Sequence, residues 1–364
     1  MRKLLIWLGG SALIAISLVL LWRQFQPARP IPVGMVAWMN SGAVVGSSEM
    51  HAGDLFLEEH PRSRVRILPV DEEWQPERSV SIIREAMGKG VRFFVSTHPS
   101  KCAVASAHLF ADSRALIINT AATSPALTGK DDYMLRIIPD AVQEQRVMAR
   151  HVARLTGNRI LVLQDTGNLP YTDPAFAAFS TELGAQGRWK IVHRKLAVAS
   201  FKPDEYRPLM AEPYDILYIL AGTFQSSIGN IAQLFHYLHP EATILLTPWA
   251  RSPAILETAS ESIDRITLAS VYPSRHDDRA IDDYFRRFNA RFGYQPHSMT
   301  IGVRQALELL NQAFAKGYDT PEGVKRYLLS TPTHRTSLGP VSFDRFGDVA
   351  GKYTFIQNLR RELK

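Results

Sequence analysis

The chain has 364 residues, of which 46% are hydrophobic and 21% are charged, and its formal net charge at pH 7 is +7. These values are typical of a folded protein of about two domains and exclude a largely disordered chain. The basic residues are scattered, without a long run or interleaved aromatics, which argues against a nucleic-acid groove.

An uncharged apolar run of 18 residues, Leu4–Leu21, opens the chain after Arg2 and Lys3. Such a helix rises about 27 Å, close to the thickness of the bilayer core. No good cleavage site follows the run, so we favour an uncleaved signal anchor over a cleaved signal peptide, which stays an alternative. Residues 1–30 are interpreted as this segment plus a proline-containing tether, which places the rest of the chain outside the cytoplasmic membrane.

Short apolar strands and helices alternate after the tether. Strands are predicted at residues 33–38, 65–70, 91–96 and 115–119, and helices at 47–60, 76–88 and 100–112. The alternation predicts an α/β lobe with a parallel, doubly wound sheet.

A second α/β unit begins near residue 140. Strands are predicted at 159–164, 189–194, 216–220 and 243–246, and helices at 141–155, 174–184, 203–210 and 226–238. Three more helices follow at 277–292, 298–316 and 321–329, and residues 341–344 and 353–357 are predicted to form a terminal strand pair around the turn Phe346-Gly-Asp348. Two α/β lobes with a tail that can return to both imply a cleft between the lobes.

The segment Thr120–Thr128, which reads TAATSPALT, follows a buried strand and is rich in small hydroxylated residues. Ser100 comes just after the preceding strand. Open α/β sheets bind ligands at the carboxyl ends of their strands, so these hydroxyls and backbone N–H groups share one crevice. Such a donor set suits a small anion, for example a carboxylate.

Several short motifs occur in a fixed order between Pro32 and the C-terminus. They are Ser41-Gly42 before Gly46 and Ala52-Gly53, Asp71 before Pro76, AATSPALT at 121–128, Arg136, and LGPVSFDRFG at 338–347. Their order and spacing resemble those of type I periplasmic binding proteins, most closely the branched-chain amino-acid (leucine/isoleucine/valine) group of ABC transporter substrate-binding proteins.

The resemblance implies two Rossmann-like lobes joined by three hinge crossovers. The first lobe would comprise residues 31–139 and 272–337, and the second lobe residues 140–271 and 338–364. A small-molecule ligand would be trapped between the lobes by hinge closure, and the closed protein would dock on the permease subunits of an ABC importer. No phosphate-binding loop occurs in this sequence, so the ATPase would be another chain.

The resemblance also implies ligand-binding residues. Ser100 would hold the ligand carboxylate, Ala121 would supply a backbone contact and Thr123 a second hydroxyl. Tyr171, expected on a loop after the strand at 159–164, would close over the ligand. The alternatives are helix capping for Ser100, turn formation for Thr123 and an ordinary surface position for Tyr171.

Four further positions are weaker candidates for ligand contact. Thr223 or Phe224 would contact the ligand from the second lobe, although Phe224 also suits the core. Val45 takes the place of an aromatic that often lines the side-chain pocket. His98 would face the cleft, although a lone histidine is more often structural.

The sequence departs from the amino-acid binders at Trp249 and Arg251. Those proteins carry a carboxylate here, which pairs with the ligand ammonium. Burying an ammonium without a charged partner costs several kcal/mol, so a plain aliphatic amino acid is disfavoured. Trp249 can stack on a planar ligand or hold a cation, and Arg251 can clamp a second anionic group. Hinge packing and a surface charge are the respective alternatives.

Nothing in the sequence favours an enzyme, a cofactor or a metal site. Cys102 is the only cysteine, the histidines lack metal-ligand spacing, and no serine lies in a G-x-S-x-G elbow. The sequence therefore predicts an extracytoplasmic solute-binding protein for an amino-acid-like or other small carboxylated ligand. A membrane-anchored sensor that signals to a partner protein and a non-binding interaction scaffold are the alternatives.

Overall fold

The computed structural model describes residues 29–39, 45–223 and 225–363. The predicted anchor Leu4–Leu21 lies outside these ranges. Within them, none of the helices combines the length and the apolar character that a membrane span needs.

The first lobe is built on a five-stranded sheet in which every pairing is parallel. Its strands are β1 (Ile31–Ala37), β2 (Val65–Asp71), β3 (Phe93–Ser96), β4 (Leu116–Asn119) and β5 (Met134–Arg136), and its first helices are α1 (Val45–Glu59), α2 (Pro76–Gly88) and α3 (Ser100–Ser106). The strand order is β2-β1-β3-β4-β5. Val33 and Phe93 face one apolar core and Val36 and Phe94 face the other, because side chains alternate across a strand.

The second lobe is built on a six-stranded sheet. Its strands are β6 (Arg159–Asp165), β7 (Lys190–Leu196), β8 (Ile216–Leu220), β9 (Thr243–Leu246), β10 (Ile266–Ser270) and β13 (Thr354–Ile356), and its helices are α4 (Ala141–Val152), α5 (Leu169–Gly184), α6 (Pro203–Met210), α7 (Ser227–Leu238), α8 (Ile255–Ala259) and α12 (Leu359–Glu362). The order is β13-β10-β9-β8-β6-β7, with only β13 antiparallel. Every residue of β8 is buried, as expected for a central strand covered on both faces.

The remaining elements return to the first lobe. They are α9 (Arg279–Phe292), α10 (Met299–Ala315), α11 (Pro321–Ser330) and the hairpin of β11 (His334–Thr336) and β12 (Gly339–Val341). Phe288 and Phe314 pack into the same core as Val33 and Phe93. The chain therefore passes between the two sheets three times, at residues 137–140, 271–278 and 342–353.

An ion pair fastens the third crossover to the first lobe. Nε of Arg136, in β5, donates to Oδ1 of Asp348 at 2.8 Å, and other nitrogens of the guanidinium donate to Ser124 O at 3.1 Å and Thr128 Oγ1 at 2.7 Å. Asp344 shapes the turn, because its Oδ1 accepts from Phe346 N at 2.8 Å and from Asp348 N at 3.0 Å. The FDRFG motif thus forms the turn that presents Asp348 to Arg136.

The predicted fold class, two doubly wound α/β lobes joined by three crossovers, is confirmed. The lobe boundaries at 139/140, 271/272 and 337/338 stay a prediction. The predicted terminal strand pair is wrong, because β12 pairs with β11, whereas β13 pairs with β10 at the edge of the second sheet. The expected helix 100–112 ends at Ser106 and continues as a 3-10 turn, Ala107–Phe110.

Candidate functional site

A cavity with about 310 Å³ of empty volume, including the part open to solvent, lies where the strand ends of the two lobes meet. It is lined by Trp74, Thr97, Pro99, Ser100, Ala121, Thr123, Asn168, Tyr171, Gly222, Thr223, Trp249 and Met299. Parallel strands bring their carboxyl ends to one edge of a sheet, and here the edges of both sheets face each other. We call this space the cleft cavity.

The first lobe contributes hydroxyls and a fixed loop to the cleft cavity. Oγ of Ser100, the first residue of α3, accepts hydrogen bonds from Thr123 N and Ser124 N, each at 3.1 Å. Asn119 Oδ1 accepts from Ala121 N at 3.0 Å and from Ala122 N at 2.7 Å. The loop after β4 is thus held without a ligand, and the Ser100 hydroxyl keeps its proton for donation.

Three buried donors at the cleft cavity have no hydrogen-bond partner within the part of the chain that the structure describes. They are Thr123 Oγ1, Trp74 Nε1 and Trp249 Nε1. A buried polar group left unpaired costs about 1–3 kcal/mol, so such groups normally have a partner. Three orphaned donors around one cavity indicate a site for a ligand rich in acceptors.

Trp74 is placed at the cleft cavity by an unusual backbone. Glu73 and Trp74 have φ values of 52° and 53°, in the left-handed region that side chains other than glycine rarely adopt. The Trp74 ring packs edge-on against Trp38, with centroids 5.4 Å apart. Strained residues of this kind cluster at ligand clamps, and the strain costs on the order of 1–3 kcal/mol per residue.

Tyr171 lies in the first turn of α5 and not on a loop, so the loop position predicted from the sequence is wrong. Pro170 precedes it in that turn, where its fixed φ suits a helix start. The side chain is fully buried, its hydroxyl donates to Glu144 Oε1 at 2.6 Å, and its ring meets Trp249 edge-on at 6.1 Å. Burial raises the pKa of the Glu144 carboxyl to about 7 despite this hydrogen bond.

Asn168, just before α5, joins the second lobe to the first. Its Oδ1 accepts from Lys101 N in α3 at 3.0 Å, and its Nδ2 donates to Gly222 O at 3.3 Å. A Cβ on Gly222 would lie 2.9 Å from Cβ of Asn168 and from Cδ1 of Tyr171, so only glycine lets the chain approach this closely. Thr223, which follows, also lines the cleft cavity.

Arg251 lies outside the cleft cavity lining, so the structure does not place it to clamp a ligand's second anionic group. It is buried, forms an ion pair with Glu362 of α12, and donates to Ser270 Oγ at 2.8 Å and to Pro273 O at 3.0 Å. The alternative interpretation, that Arg251 is a surface charge, is also wrong, because its side chain is only 2% exposed. Its partner Glu362 is 111 positions away in the chain, so the sequence around Arg251 does not predict this ion pair.

His98 lies behind the wall of the cleft cavity and not in its lining. It is buried, and its Nδ1 is 3.3 Å from Glu72 Oε2. Beside it, Thr97 Oγ1 donates to Glu49 Oε2 at 2.5 Å. Burial raises the pKa of the Glu49 carboxyl, the hydrogen bond from Thr97 lowers it and the charge of Glu72 raises it, and together they bring it to about 8. These groups support the wall from within the first lobe.

The structure brings together six of the ten predicted residues: Ser100, Ala121, Thr123, Tyr171, Thr223 and Trp249 line one cavity. Phe224 and the side chain of Val45 lie outside the described residues. Sequence reasoning missed Trp74, Thr97, Asn168 and Met299. The position of Trp74 after the carboxyl end of β2 was the available signal for it, and the helix start Asn168-Leu-Pro170 was the signal for Asn168.

The lining of the cleft cavity contains no aspartate or glutamate among the described residues. The undescribed residues cannot supply one, because 1–28, 40–44, Phe224 and Lys364 contain no acidic residue. No cluster of three or more His, Cys, Asp or Glu suited to a metal occurs in the described ranges. The cavity thus offers neutral donors and aromatic surface.

Comparison with known proteins agrees with this architecture. A family model described as periplasmic binding protein matches residues 30–359. A Leu/Ile/Val-binding protein homolog 1 of Brucella abortus (strain 2308) is 22% identical over 324 residues, which cover 81% of this chain and 82% of the relative.

Solved structures share the fold at low identity. A solute-binding protein of an ABC transporter from Rhodopseudomonas palustris BisB5, in complex with 3,4-dihydroxybenzoic acid, superposes with a TM-score of 0.80 at 17% identity, covering 90% of this chain and 93% of that one. A branched-chain amino-acid substrate-binding protein from Streptococcus pneumoniae, in complex with isoleucine, gives 0.79 at 14% identity, covering 90% and 96%. The chain therefore belongs to the periplasmic binding protein family and is a solute-binding protein.

Proposed function

We propose that this protein captures a small carboxylate in the cleft cavity and delivers it to the permease of an ABC importer. The carboxylate is held by the Ser100 and Thr123 hydroxyls. The observation that carries the proposal is the set of buried donors without partners, Thr123 Oγ1, Trp74 Nε1 and Trp249 Nε1, which converge on one cavity between two lobes.

Neutral donors are sufficient for a carboxylate. Hydrogen bonds to an ionised acceptor are about twice as strong as those between neutral groups. Ser100 Oγ accepts two backbone N–H bonds, which polarises its O–H toward a ligand oxygen. An unpaired Thr123 hydroxyl lies beside it in the same lining.

The absence of acidic residues from the described lining and from the undescribed stretches disfavours a zwitterion. An ammonium would be buried without an anionic partner, at a cost of several kcal/mol. The rings of Trp74, Tyr171 and Trp249 instead provide apolar walls that suit a planar body. We infer an aromatic carboxylate without an ammonium group, the type of ligand seen in the Rhodopseudomonas palustris relative.

The family implies a location outside the cytoplasmic membrane. We further propose that Leu4–Leu21 stays uncleaved and tethers the protein to that membrane. A tether keeps the closed, loaded protein near its permease. The comparisons lend no support to the sensor or scaffold alternatives.

The test is thermal melting of the full chain, purified in mild detergent, with benzoate, 4-hydroxybenzoate, 3,4-dihydroxybenzoate, leucine and isoleucine. A ligand at 100 times its dissociation constant stabilises the fold by about 2.7 kcal/mol, which raises the midpoint by several degrees. We expect the benzoates to raise it and the amino acids to leave it unchanged.

Two outcomes would contradict parts of the proposal. A response to leucine but not to the benzoates would overturn the inferred ligand class and keep the solute-binding role. A benzoate response that persists in the Ser100→Ala/Thr123→Ala double variant would place the carboxylate elsewhere.

A further inference from the structure

A second space, with about 310 Å³ of empty volume including the part open to solvent, adjoins the cleft cavity at Trp249 and Met299, which line both. We call it the hinge chamber, because it lies beside two of the crossovers. Ile138 of the first crossover and Tyr272 of the second contribute to its lining, together with Thr120 from the first lobe. Trp249 and Met299 are thus a partition inside the cleft and not its floor.

The polar side-chain atoms of the hinge chamber are satisfied within the described residues, with two exceptions, Trp249 Nε1 and the Tyr272 hydroxyl. Thr120 Oγ1 donates to Ser96 O at 3.1 Å, Ser270 Oγ donates to Tyr272 O at 2.7 Å, and Ser298 Oγ donates to Arg251 O at 3.3 Å. The Tyr272 hydroxyl is buried and has no partner in the described ranges. An unpaired buried hydroxyl indicates a group that is not part of the protein.

Gly302, in α10, lies directly behind two residues of the hinge chamber lining, Tyr272 and Thr120. A Cβ built on it would lie 2.8 Å from Tyr272 Oη and 2.9 Å from Thr120 Cβ. Glycine inside a helix costs about 1 kcal/mol relative to alanine. The chain thus carries glycine where alanine would favour the helix but displace Tyr272 or Thr120.

No polar contact fixes the partition within the described residues. Trp249 Nε1 is unpaired, and the ring meets Tyr171 only edge-on. Met299 is unbranched and adapts its shape readily. A change of rotamer at these two side chains would join the cleft cavity to the hinge chamber.

We propose that the two spaces form one elongated site, in which the hinge chamber receives the far end of the ligand and Tyr272 bonds a hydroxyl there. This rests on the proposed function, since the carboxylate end is held at Ser100. The ligand class is a carboxylate whose apolar body is longer than a benzoate and ends in a hydroxyl. Contact with Ile138 and Tyr272 would let such a ligand stabilise the crossovers in the closed state.

The test is isothermal titration of the full chain with two pairs of acids: benzoate with 4-hydroxybenzoate, and 3-phenylpropanoate with 3-(4-hydroxyphenyl)propanoate. We expect the long hydroxylated acid to bind about tenfold more tightly than its unhydroxylated partner, the equivalent of one hydrogen bond. Tyr272→Phe should abolish that difference. Gly302→Ala should weaken both long acids by about tenfold or more and leave benzoate binding unchanged.

The variants' thermal midpoints without ligand separate a folding defect from a binding defect. If benzoates bind but the long acids do not, or if Tyr272→Phe weakens all four acids equally, the hinge chamber is not a subsite and the proposed function stands. If none of the four acids binds, both proposals fail.

Discussion

Asn168 of the second lobe caps a helix of the first, because its Oδ1 accepts a hydrogen bond from Lys101 N at 3.0 Å. The first N–H groups of a helix have no partner within the helix, and one of those of α3 is satisfied here across the cleft. We call this hydrogen bond between the lobes, which lies beside the cleft cavity, the latch.

Removing the latch should favour an open state. A capping side chain contributes about 1 kcal/mol, so Asn168→Ala should lower the affinity for the bound carboxylate about fivefold and increase the radius of gyration without ligand. Small-angle scattering and titration measure both. Asn230, exposed on α7, gives the matched control Asn230→Ala. Unchanged scattering and affinity in Asn168→Ala would show that the contact does not hold the lobes together.

Ser100 should have two separable roles. Ser100→Ala leaves Thr123 N and Ser124 N without an acceptor, which should destabilise the fold by about 1–3 kcal/mol, and it removes a donor to the ligand, which should weaken binding at least about tenfold. Ser106→Ala in the same helix loses only bonds to two carbonyls of its own helix, Cys102 O and Ala103 O. Urea unfolding and titration of both variants test this, and equal affinities in the two would exclude Ser100 from the site.

The indole N–H groups should contribute to affinity without contributing to the fold. Trp74→Phe and Trp249→Phe keep an aromatic ring but remove an unpaired donor, so each should weaken carboxylate binding about fivefold and change stability little. Trp189 also has a buried, unpaired Nε1 but lies outside the cleft cavity, which makes Trp189→Phe the control. An equal effect of all three substitutions would argue against a direct contact.

The buried ion pair Arg251–Glu362 should act on stability and not on ligand selection. Breaking one partner of a buried pair costs about 3–5 kcal/mol, so Arg251→Met and Glu362→Gln should each be strongly destabilising. The double variant should lose less unfolding free energy than the two single variants lose together, because neither charge is then buried without its partner. Urea unfolding of the parent, the two single variants and the double variant measures these free energies. A folded Arg251→Met variant that no longer binds ligand would restore the anion-clamp interpretation of this residue.

Glu49 should make the fold less stable as the pH rises. Its pKa is about 8 in the folded chain and 4.5 when unperturbed, mainly because of burial. Between these values the unfolded state binds fewer protons, so stability present below pH 4.5 is lost as the pH rises toward 8. The slope for one group is at most about 1.4 kcal/mol per pH unit.

His297 acts in the opposite direction below pH 6.5, because burial and the charge of Arg251 lower its pKa to about 4. Glu144, whose pKa burial raises to about 7, acts in the same direction as Glu49 up to about pH 7. Glu49 therefore dominates the pH dependence between about pH 7 and 8. Glu49→Gln should flatten the fall in unfolding free energy across that window, as measured by urea titration at several pH values. If the unfolding free energy of Glu49→Gln falls with pH as steeply as that of the parent, Glu49 is ionised in the folded protein.

The sequence was sufficient to predict those residues of the site that lie at the ends of neighbouring strands. Ser100, Ala121 and Thr123 converge because β3 and β4 are neighbours in a parallel sheet, and parallel strands end at the same edge. Trp249 follows β9 in the same way. Strand ends can be recognised from local apolar runs, so these positions were accessible without a structure.

The orientation of the Arg251 side chain could not be predicted from the sequence, because it depends on Glu362 in a terminal helix and on carbonyls of the second crossover. Met299 was missed for a similar reason, since α10 reaches the cleft only through the return of the chain to the first lobe. The loop expectation for Tyr171 failed because Pro174 resembles a helix start, whereas α5 begins one turn earlier and contains that proline.

The threefold passage of the chain between the sheets has a consequence for biosynthesis. The strands of the first sheet are complete at Arg136, but α9–α11, which cover the face carrying Val33 and Phe93, begin only at Arg279. During synthesis or export, α1 packs on that face through Leu55 and Phe56, but its cover by α9–α11 is missing while the whole second sheet except β13 emerges. Neither lobe can be released from the polypeptide by one cut, so we expect the two lobes to reach their final packing together and late.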